Sequence, residues 1–394
     1  MKPILPSGVK FIINRLESEG RSAHIVGGCV RDFLLSKRPY DYDITTSALP
    51  EEMKRIFSDV KTVETGIKHG TLTVVYDGEP YEVTTYRIDG EYEDHRHPKS
   101  VSFTDSLRGD LSRRDFTMNA IAYNERDGFV DLFGGIEDIK GGIIRAVGDP
   151  SRRFDEDALR ILRAVRFSAT LGFSVEDSTA KSAAEKAHLL SSVSGERIYT
   201  EWKKLIAGDF AYDVIVSHSS VMRQFLLDGS LRLPDKLRFA KADPMARMLS
   251  IFALSAADAP SAFLSFTERM KSDSKTKRDG IAALSELSAD MSEPKAVRRL
   301  LIKHGKEKVR LIYGLKRLLG IDGIISEAEL CEAESGKYPL SLSELCVGGD
   351  DMKTIGYRGR DIGDILLMLL NMAADGEVKN EREELLEAAR KRLV

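Results

Sequence analysis

Two aspartates one residue apart, Asp41 and Asp43 in "RPYDYDIT", follow closely on a glycine pair in "VGGCVRD". Two carboxylates this close repel each other when ionised, so something positive is expected between them. "YDYDIT" reads as a strand, and side chains alternate along a strand with period two, which puts Asp41 and Asp43 on one face. Held there, they could ligate one or two Mg²⁺ ions, hard cations that take oxygen ligands and bridge substrate phosphates. Two such metals can activate an attacking hydroxyl and stabilise the leaving group of an in-line displacement. The alternative is a pair of exposed aspartates near a strand end. Gly27 and Gly28 follow the short strand in "AHIVGG" and precede a helix carrying Arg31. Glycines there let backbone N–H groups approach a phosphate, the helix N-terminus favours the anion, and Arg31 adds charge-assisted hydrogen bonds. A plain tight turn is the alternative for the glycines alone. In succession, the two motifs favour chemistry over a structural role.

Two later stretches carry charge in a pattern. "SRRDFTMNA" places Arg113, Arg114 and Asp115 just before a run read as helical, with Phe116, Ile121 and Tyr123 as packing residues. "FDEDALRILRAVRF" reads as one helix on which Asp157, Arg160 and Arg163 recur at i, i+3 and i+6, with Arg166 continuing the side. Leu159, Ile161, Leu162 and Val165 supply its buried stripe. Taken alone, such a helix reads first as a solvated face laced with salt bridges.

"VGGCVRD" followed by "DYDIT" resembles the head-domain signature of the nucleotidyltransferase superfamily. "RRDFTMNAIAYN" and "RRFDEDALRILRAVRF" are similar to the next two motifs of one branch, the class II tRNA nucleotidyltransferases, which are the bacterial CCA-adding enzymes and poly(A) polymerases. "ERIYTEWKKLI" matches a later helical motif, and the ordered match runs from about residue 22 to 205. The resemblance implies Mg²⁺ held by Asp41 and Asp43, and it implies a third carboxylate on a neighbouring strand, for which Glu82 in "YEVTTYR" is the candidate. It assigns Gly27, Gly28, Arg31 and Arg114 to the nucleotide triphosphate and sugar, with Arg113 assisting or bonding elsewhere. Asp115 would orient one of these arginines, and Asn119 would reach sugar or phosphate.

Glu156, Asp157, Arg160 and Arg163 match the motif E-D-x-x-R-x-x-R, in which members of the branch read the incoming base with the aspartate and the first arginine. Cytosine and adenine each present an amino donor beside a ring-nitrogen acceptor. One carboxylate and one forked donor therefore satisfy either base edge, while guanine and uracil present the opposite pattern. Arg163 and Arg166 then bear on the nucleotide or hold the reading pair. Arg197, Glu201, Trp202 and Lys203 are read as shaping the neck.

The elements that must position these residues follow. An opening amphipathic helix, with Ile12, Ile13 and Leu16 at helical spacing, is not a signal peptide. "SALPEEMKRIFSD" is a helix with Ser47 as N-cap and Pro50 in its first turn. "TLTVVYDG" and "PYEVTTYRID" form a hairpin about an Asp-Gly turn. From Asp149 onward strand-like alternation nearly vanishes. The resemblance gives an α+β fold: a nucleotidyltransferase head over 1–145 with a mixed sheet, a helical neck with the base-selecting residues over 146–210, and an elongated helical body and tail over 211–394 that binds tRNA.

The chain has 394 residues, 42% hydrophobic and 31% charged, with net charge -3, so a nucleic-acid binder of this composition concentrates its positive charge locally. Three cysteines indicate neither a disulfide framework nor a zinc knuckle. No apolar run reaches the ~20 residues of a membrane helix. These features imply a cytoplasmic protein without a membrane span, and the resemblance implies tRNA, CTP and ATP as partners and no DNA. The segment "VETGIKHGTLTVVYDG" does not fit the basic, phenylalanine-containing segment of poly(A) polymerases, and the charged loop "IDGEYEDHRHPKSVSFTDSLRGD" is of the kind CCA-adding members possess. The expected activity is template-independent addition of C, C and A to the tRNA 3′ end with release of pyrophosphate. The alternatives are an enzyme adding A alone beside a separate CC-adding partner, and a non-catalytic RNA-binding protein on a decayed head.

Overall fold

The computed structural model describes residues 3–90, 101–227 and 229–393. Of the charged loop, 91–100 (with Asp94, His95 and His97) lies outside the described residues. The chain divides into two compact units, Met1–Asp228 and Gly229–Val394.

The first unit opens with the helix Ser7–Ser18, which buries Val9, Ile12, Ile13 and Leu16 as its spacing predicts. The strands follow as β1 (Ala23–Val26), β2 (Asp43–Thr46), β3 (Thr62–Val63), β4 (Thr71–Tyr76), β5 (Glu79–Thr85), β6 (Arg87–Asp89), β7 (Val101–Phe103), β8 (Ile121–Asn124) and β9 (Gly128–Asp131). Seven of them form one mixed sheet in the order β3-β4-β5-β2-β1-β8-β9, while β6 and β7 pair separately. Every residue of β1 and β8 is buried, as befits strands covered on both faces. The hairpin β4–β5 turns at Asp77 and Gly78, both with positive φ (50° and 83°), the backbone that an Asp-Gly pair favours and that matches strand twist. The pairing of β2 with β5 is parallel, and the remaining ladders of this sheet are antiparallel.

Two local expectations are corrected. The helix Pro50–Ile56 is preceded by Leu49, not Ser47, at the cap position. The Glu52 carboxylate accepts the Leu49 N–H at 2.9 Å, and the Ser47 hydroxyl is already engaged by the Ser22 N–H at 2.9 Å. After Arg113 and Arg114 the chain makes only a short 3₁₀ turn, Thr117–Asn119, before entering β8. The sheet claims that segment because Ile121 and Tyr123, with β-branched and aromatic side chains, pack in the core.

Beyond the sheet the helices Pro150–Glu156, Leu159–Leu171 and Gly195–Ala207 follow, the last two packed against each other. Trp202 is fully buried and meets Phe225 edge-on at 5.6 Å. The regular structure of the second unit's described residues is all helical, with Phe252, Phe263 and Phe266 meeting edge-on and tilted in one part of its core and Met352, Leu369 and Leu385 in another.

Gly135 opens the helix Gly135–Gly141, whose first N–H groups are held by Asp131 at 2.9 and 2.8 Å. A Cβ at Gly135 would run into the backbone carbonyl of Thr117, which no rotamer change relieves. Gly135→Ala is therefore expected to cost about 1–3 kcal/mol in a denaturant titration. An unchanged midpoint would show that the Thr117 turn yields freely.

Candidate active site

Asp43 is the first residue of β2, paired to Val26 of β1 on one side and to Glu82 of β5 on the other. The strand was expected to include Asp41. It starts later because β1 turns away at Gly27 (φ 78°), leaving no β1 partner ahead of Asp43. Asp41 lies in the connection just ahead, and Asp41, Asp43 and Glu82 nonetheless line one cleft of about 750 Å³. Parallel register aligns Glu82 directly with Asp43, which gives the proposed third carboxylate a physical basis. Asp43 is raised above the ordinary aspartate range, first by the desolvation its surroundings impose, against the pull of Arg114 and with the repulsion of Asp41 and Glu82.

A second cleft of about 200 Å³ also opens at Asp43, lined by Val26, Thr45, Thr84, Arg87, Arg113 and Arg114. Asp115 was expected to orient Arg113 or Arg114, but that task falls to Asp110. This fully buried carboxylate takes Arg113 at 2.8 and 3.0 Å, Arg114 at 3.2 Å and the Thr45 hydroxyl at 3.2 Å. Burial alone would raise the Asp110 pKa; Arg114 and Arg113 outweigh it and hold it below the usual range. Asp110 precedes its partners by three and four residues, the spacing of one helical turn, a signal that "GDLSRRD" did contain. Gly27 faces this cleft: a Cβ there would lie 3.3 Å from Arg114 Nη1 and 3.8 Å from Asp43, so the glycine keeps the space between carboxylate and guanidinium open.

Arg31, one turn into the helix Gly28–Leu34, is held by Asp32 at 2.8 and 3.0 Å and donates to Asn119 Oδ1 at 2.9 Å. Asn119 in turn donates to Asp115 at 3.1 Å, and Asp115 takes Arg163 at 2.6 and 2.9 Å. Arg166 bonds Glu201 at 2.9 Å. Arg166, Arg31 and Arg163 lie over the buried ring of Phe167 at 3.5, 5.1 and 5.4 Å, three cations on one aromatic residue. Phe167 had no signal of this role, since at helical spacing it looks like core.

The stretch read as one helix is two. Pro150–Glu156 ends at Glu156, and Asp157 is extended (φ -142°, ψ 102°), its carboxylate accepting the Leu159 N–H at 3.1 Å to start Leu159–Leu171. An aspartate at a cap competes with the helix backbone for that N–H, which is why the break falls there. Arg197 donates to both oxygens of Asp157 at 2.9 and 3.2 Å. Arg160, buried, donates to Glu156 at 2.8 Å, to the Arg113 carbonyl at 2.8 Å and to the Arg153 carbonyl at 3.2 Å. Three of five guanidinium N–H groups are thus bonded within the described residues, and a carboxylate offers roughly four acceptor positions, so each keeps capacity for one more partner.

Asp115 carries the sharpest electrostatic consequence. Burial would raise it, yet Arg163 beside it, with hydrogen bonds from Asn119 and Arg163, holds it at about 2. A carboxylate depressed in the folded state stabilises above its unfolded pKa of ~3.9 and loses that contribution as pH falls through its folded value. Asp115→Asn is expected to cost about 3 kcal/mol near neutrality by leaving Arg163 without its buried partner. The gap from the wild-type protein should close as pH falls from ~4 to ~2 in pH-resolved denaturation. A gap independent of pH would assign the cost to packing instead.

Comparison with known proteins agrees with this geometry. Residues 23–145 match the family described as "Poly A polymerase head domain", and residues 172–216 match "Probable RNA and SrmB- binding site of polymerase A". The chain is 36% identical to a CCA-adding enzyme of Pediococcus pentosaceus over 97% of both chains. It is 52% identical to a CCA-adding enzyme of Geobacillus thermodenitrificans over 59% of this chain and 57% of that one. The crystal structure of Bacillus stearothermophilus CCA-adding enzyme in complex with CTP superposes with a TM-score of 0.81 at 33% identity, covering 100% of this chain and 98% of that one. With near-complete coverage in both directions and the carboxylates and arginines gathered as described, the chain belongs to the CCA-adding enzyme family of nucleotidyltransferases.

Proposed function

We propose that the protein adds C, C and A in turn to the 3′ end of tRNA from CTP and ATP, releasing pyrophosphate, with its own side chains as the template. The observation that carries this reading is the junction at Asp43: carboxylates on one side, two arginines held by a buried aspartate on the other. With tRNA, CTP and ATP as substrates, the cytoplasm is the compartment that supplies all three.

Asp41 and Asp43 suit Mg²⁺. Desolvation and, beside it, the repulsion of Asp41 and Glu82 raise Asp43, a cost that a dication relieves, and Asp41 and Asp43 offer two carboxylates to one cleft. That is the arrangement Mg²⁺ favours, held by one or two carboxylates with substrate phosphates and water. When bound, the metal would neutralise charge on the α-phosphate and leaving pyrophosphate and favour ionisation of the attacking 3′-hydroxyl. Glu82, aligned with Asp43, is the further carboxylate at this centre. Gly28 N–H and Arg31 bind phosphate oxygens at the helix start, and Arg114, with Arg113, stabilises charge that develops on the leaving side. Asn119 keeps Arg31 aimed, and Gly27 keeps the approach clear.

Base choice falls to Asp157 and Arg160. Asp157 accepts from the amino group of cytosine or adenine with the acceptor capacity Arg197 leaves, and Arg160 donates to the neighbouring ring nitrogen. Guanine and uracil meet donor against donor and acceptor against acceptor, at about 1–3 kcal/mol for each mispaired buried group. Arg163 and Arg166, fixed by Asp115 and Glu201, hold the helix that presents Arg160. The second unit carries the remaining contacts to tRNA.

The test offers tRNA ending before, within and after CC, with labelled CTP or ATP and Mg²⁺. CTP incorporation onto the shortest substrate is expected; ATP use only on CC-ended tRNA marks an A-adding enzyme, and no incorporation by folded protein sinks the catalytic reading. Asp43→Ala should abolish use of both nucleotides. Arg160→Ala should chiefly relax discrimination against GTP and UTP, by about 10–100-fold from the loss of one or two pairings. Uniform loss of rate with unchanged preference would remove Arg160 from base selection.

A further inference from the structure

Asp43 belongs to two clefts, and in-line displacement gives them different occupants. The attacking and leaving oxygens stand on opposite sides of the reacting phosphorus. The smaller cleft holds Arg113 and Arg114, the groups suited to the leaving pyrophosphate, so the attacking hydroxyl enters from the other side of Asp43. That side is the larger cleft, lined by Arg38, Tyr40, Asp41, Tyr81 and Glu82 as well as Asp43. Its walls differ from those of the arginine cleft. Tyr40, next to Asp41, is 100% exposed, an aromatic ring that the protein itself leaves uncovered. Arg38 is exposed, and no ion pair joins it to a carboxylate among the described residues. Tyr81 is half-buried, its ring seated where a side chain on Gly8 would stand, which fixes it against the helix Ser7–Ser18. An exposed ring, a fixed ring and an unpaired guanidinium stand beside four carboxylates, Asp41, Asp43, Glu79 and Glu82; the rings and the guanidinium make a platform for single-stranded nucleic acid, on which bases stack on aromatic faces and a cation meets the backbone.

We propose that this cleft receives the single-stranded 3′ end of the RNA acceptor, with Tyr40 stacking on a terminal base and Arg38 meeting the adjoining phosphate, so that the 3′-hydroxyl is presented to Asp41 and Asp43. This rests on the catalytic reading above and assigns its acceptor side. Tyr40 is a positioning residue for the acceptor. It does not touch the incoming nucleotide, so its loss moves one KM and leaves the others.

Steady-state kinetics with a tRNA minihelix ending in C test this, joined by fluorescence of a second minihelix that carries 2-aminopurine as its 3′-terminal base. Tyr40→Ala is expected to raise KM for the minihelix about tenfold, in keeping with one lost base stack, while KM for CTP and ATP stays unchanged. Tyr40→Phe and Tyr40→Trp should restore the wild-type KM, and binding should quench 2-aminopurine in these two and in the wild type but not in Tyr40→Ala. Because the ring is fully exposed, thermal denaturation should be the same for all four proteins. If the wild type incorporates nucleotide and Tyr40→Ala matches it in minihelix KM and quenching, the acceptor assignment is overturned and the catalytic reading stands. If Tyr40→Ala instead raises KM for CTP and ATP, the two clefts are exchanged and the proposal is equally overturned. Absence of incorporation by the wild type would overturn the catalytic reading itself.

Discussion

Seven arginines gathered in the first unit repel each other, and the structure depends on pairing each of them with a carboxylate before any substrate arrives. Asp32 holds Arg31, Asp110 holds Arg113 and Arg114, Asp115 holds Arg163, Glu156 holds Arg160, Asp157 holds Arg197 and Glu201 holds Arg166. Asp110 and Glu201 are buried, where an unpaired charge of either sign is costly and where a satisfied pair is rigid. Rigidity is what the chemistry requires. A guanidinium that stabilises a developing charge is effective when it needs no reorganisation at the moment of reaction.

The same pairs join parts of the first unit that are far apart in sequence. Arg31 comes from the start of the chain and Arg163 from the helix Leu159–Leu171, and Asn119 and Asp115 link them in one chain of hydrogen bonds. Phe167 adds a second tie, because its ring lies beneath Arg31 as well as beneath Arg163 and Arg166. Arg160, proposed to read the base, and Arg31, proposed to hold phosphate, are therefore referenced to one small cluster, and a displacement of the helix Leu159–Leu171 is felt at both.

The motif order, the buried stripe of Leu159, Ile161, Leu162 and Val165, and the Asp-Gly hairpin were all legible in the residues, because each rests on local periodicity or turn chemistry. The misplacements also share a cause. Asp41 is expected in β2, Asp157 inside a helix and Asp115 beside Arg113 or Arg114, and in each case the outcome depends on tertiary geometry. β2 begins only where β1 ends, Asp157 caps the next helix, and Asp115 meets an arginine 48 positions later. Local pattern says which residues are charged and on which element; it does not say which opposite charge the fold brings near.

The parallel pairing of β2 and β5 shows how little freedom the site has. A parallel neighbour cannot follow through a tight turn, so the chain must leave the sheet after β2, pass through the helix Pro50–Ile56, and return by β3 and β4 before β5 can be laid down. The hairpin β4–β5 then fixes the register of β5, and through it the level at which Glu82 stands beside Asp43. Because side chains alternate with period two, a slip of one residue would turn Glu82 to the opposite face and bring Val83, now buried in the core, into the cleft. Burial of Val83 and Leu72 on the inner face opposes that slip, so the hydrophobic pattern of a hairpin distant in sequence from Asp43 sets the geometry of its carboxylate neighbour.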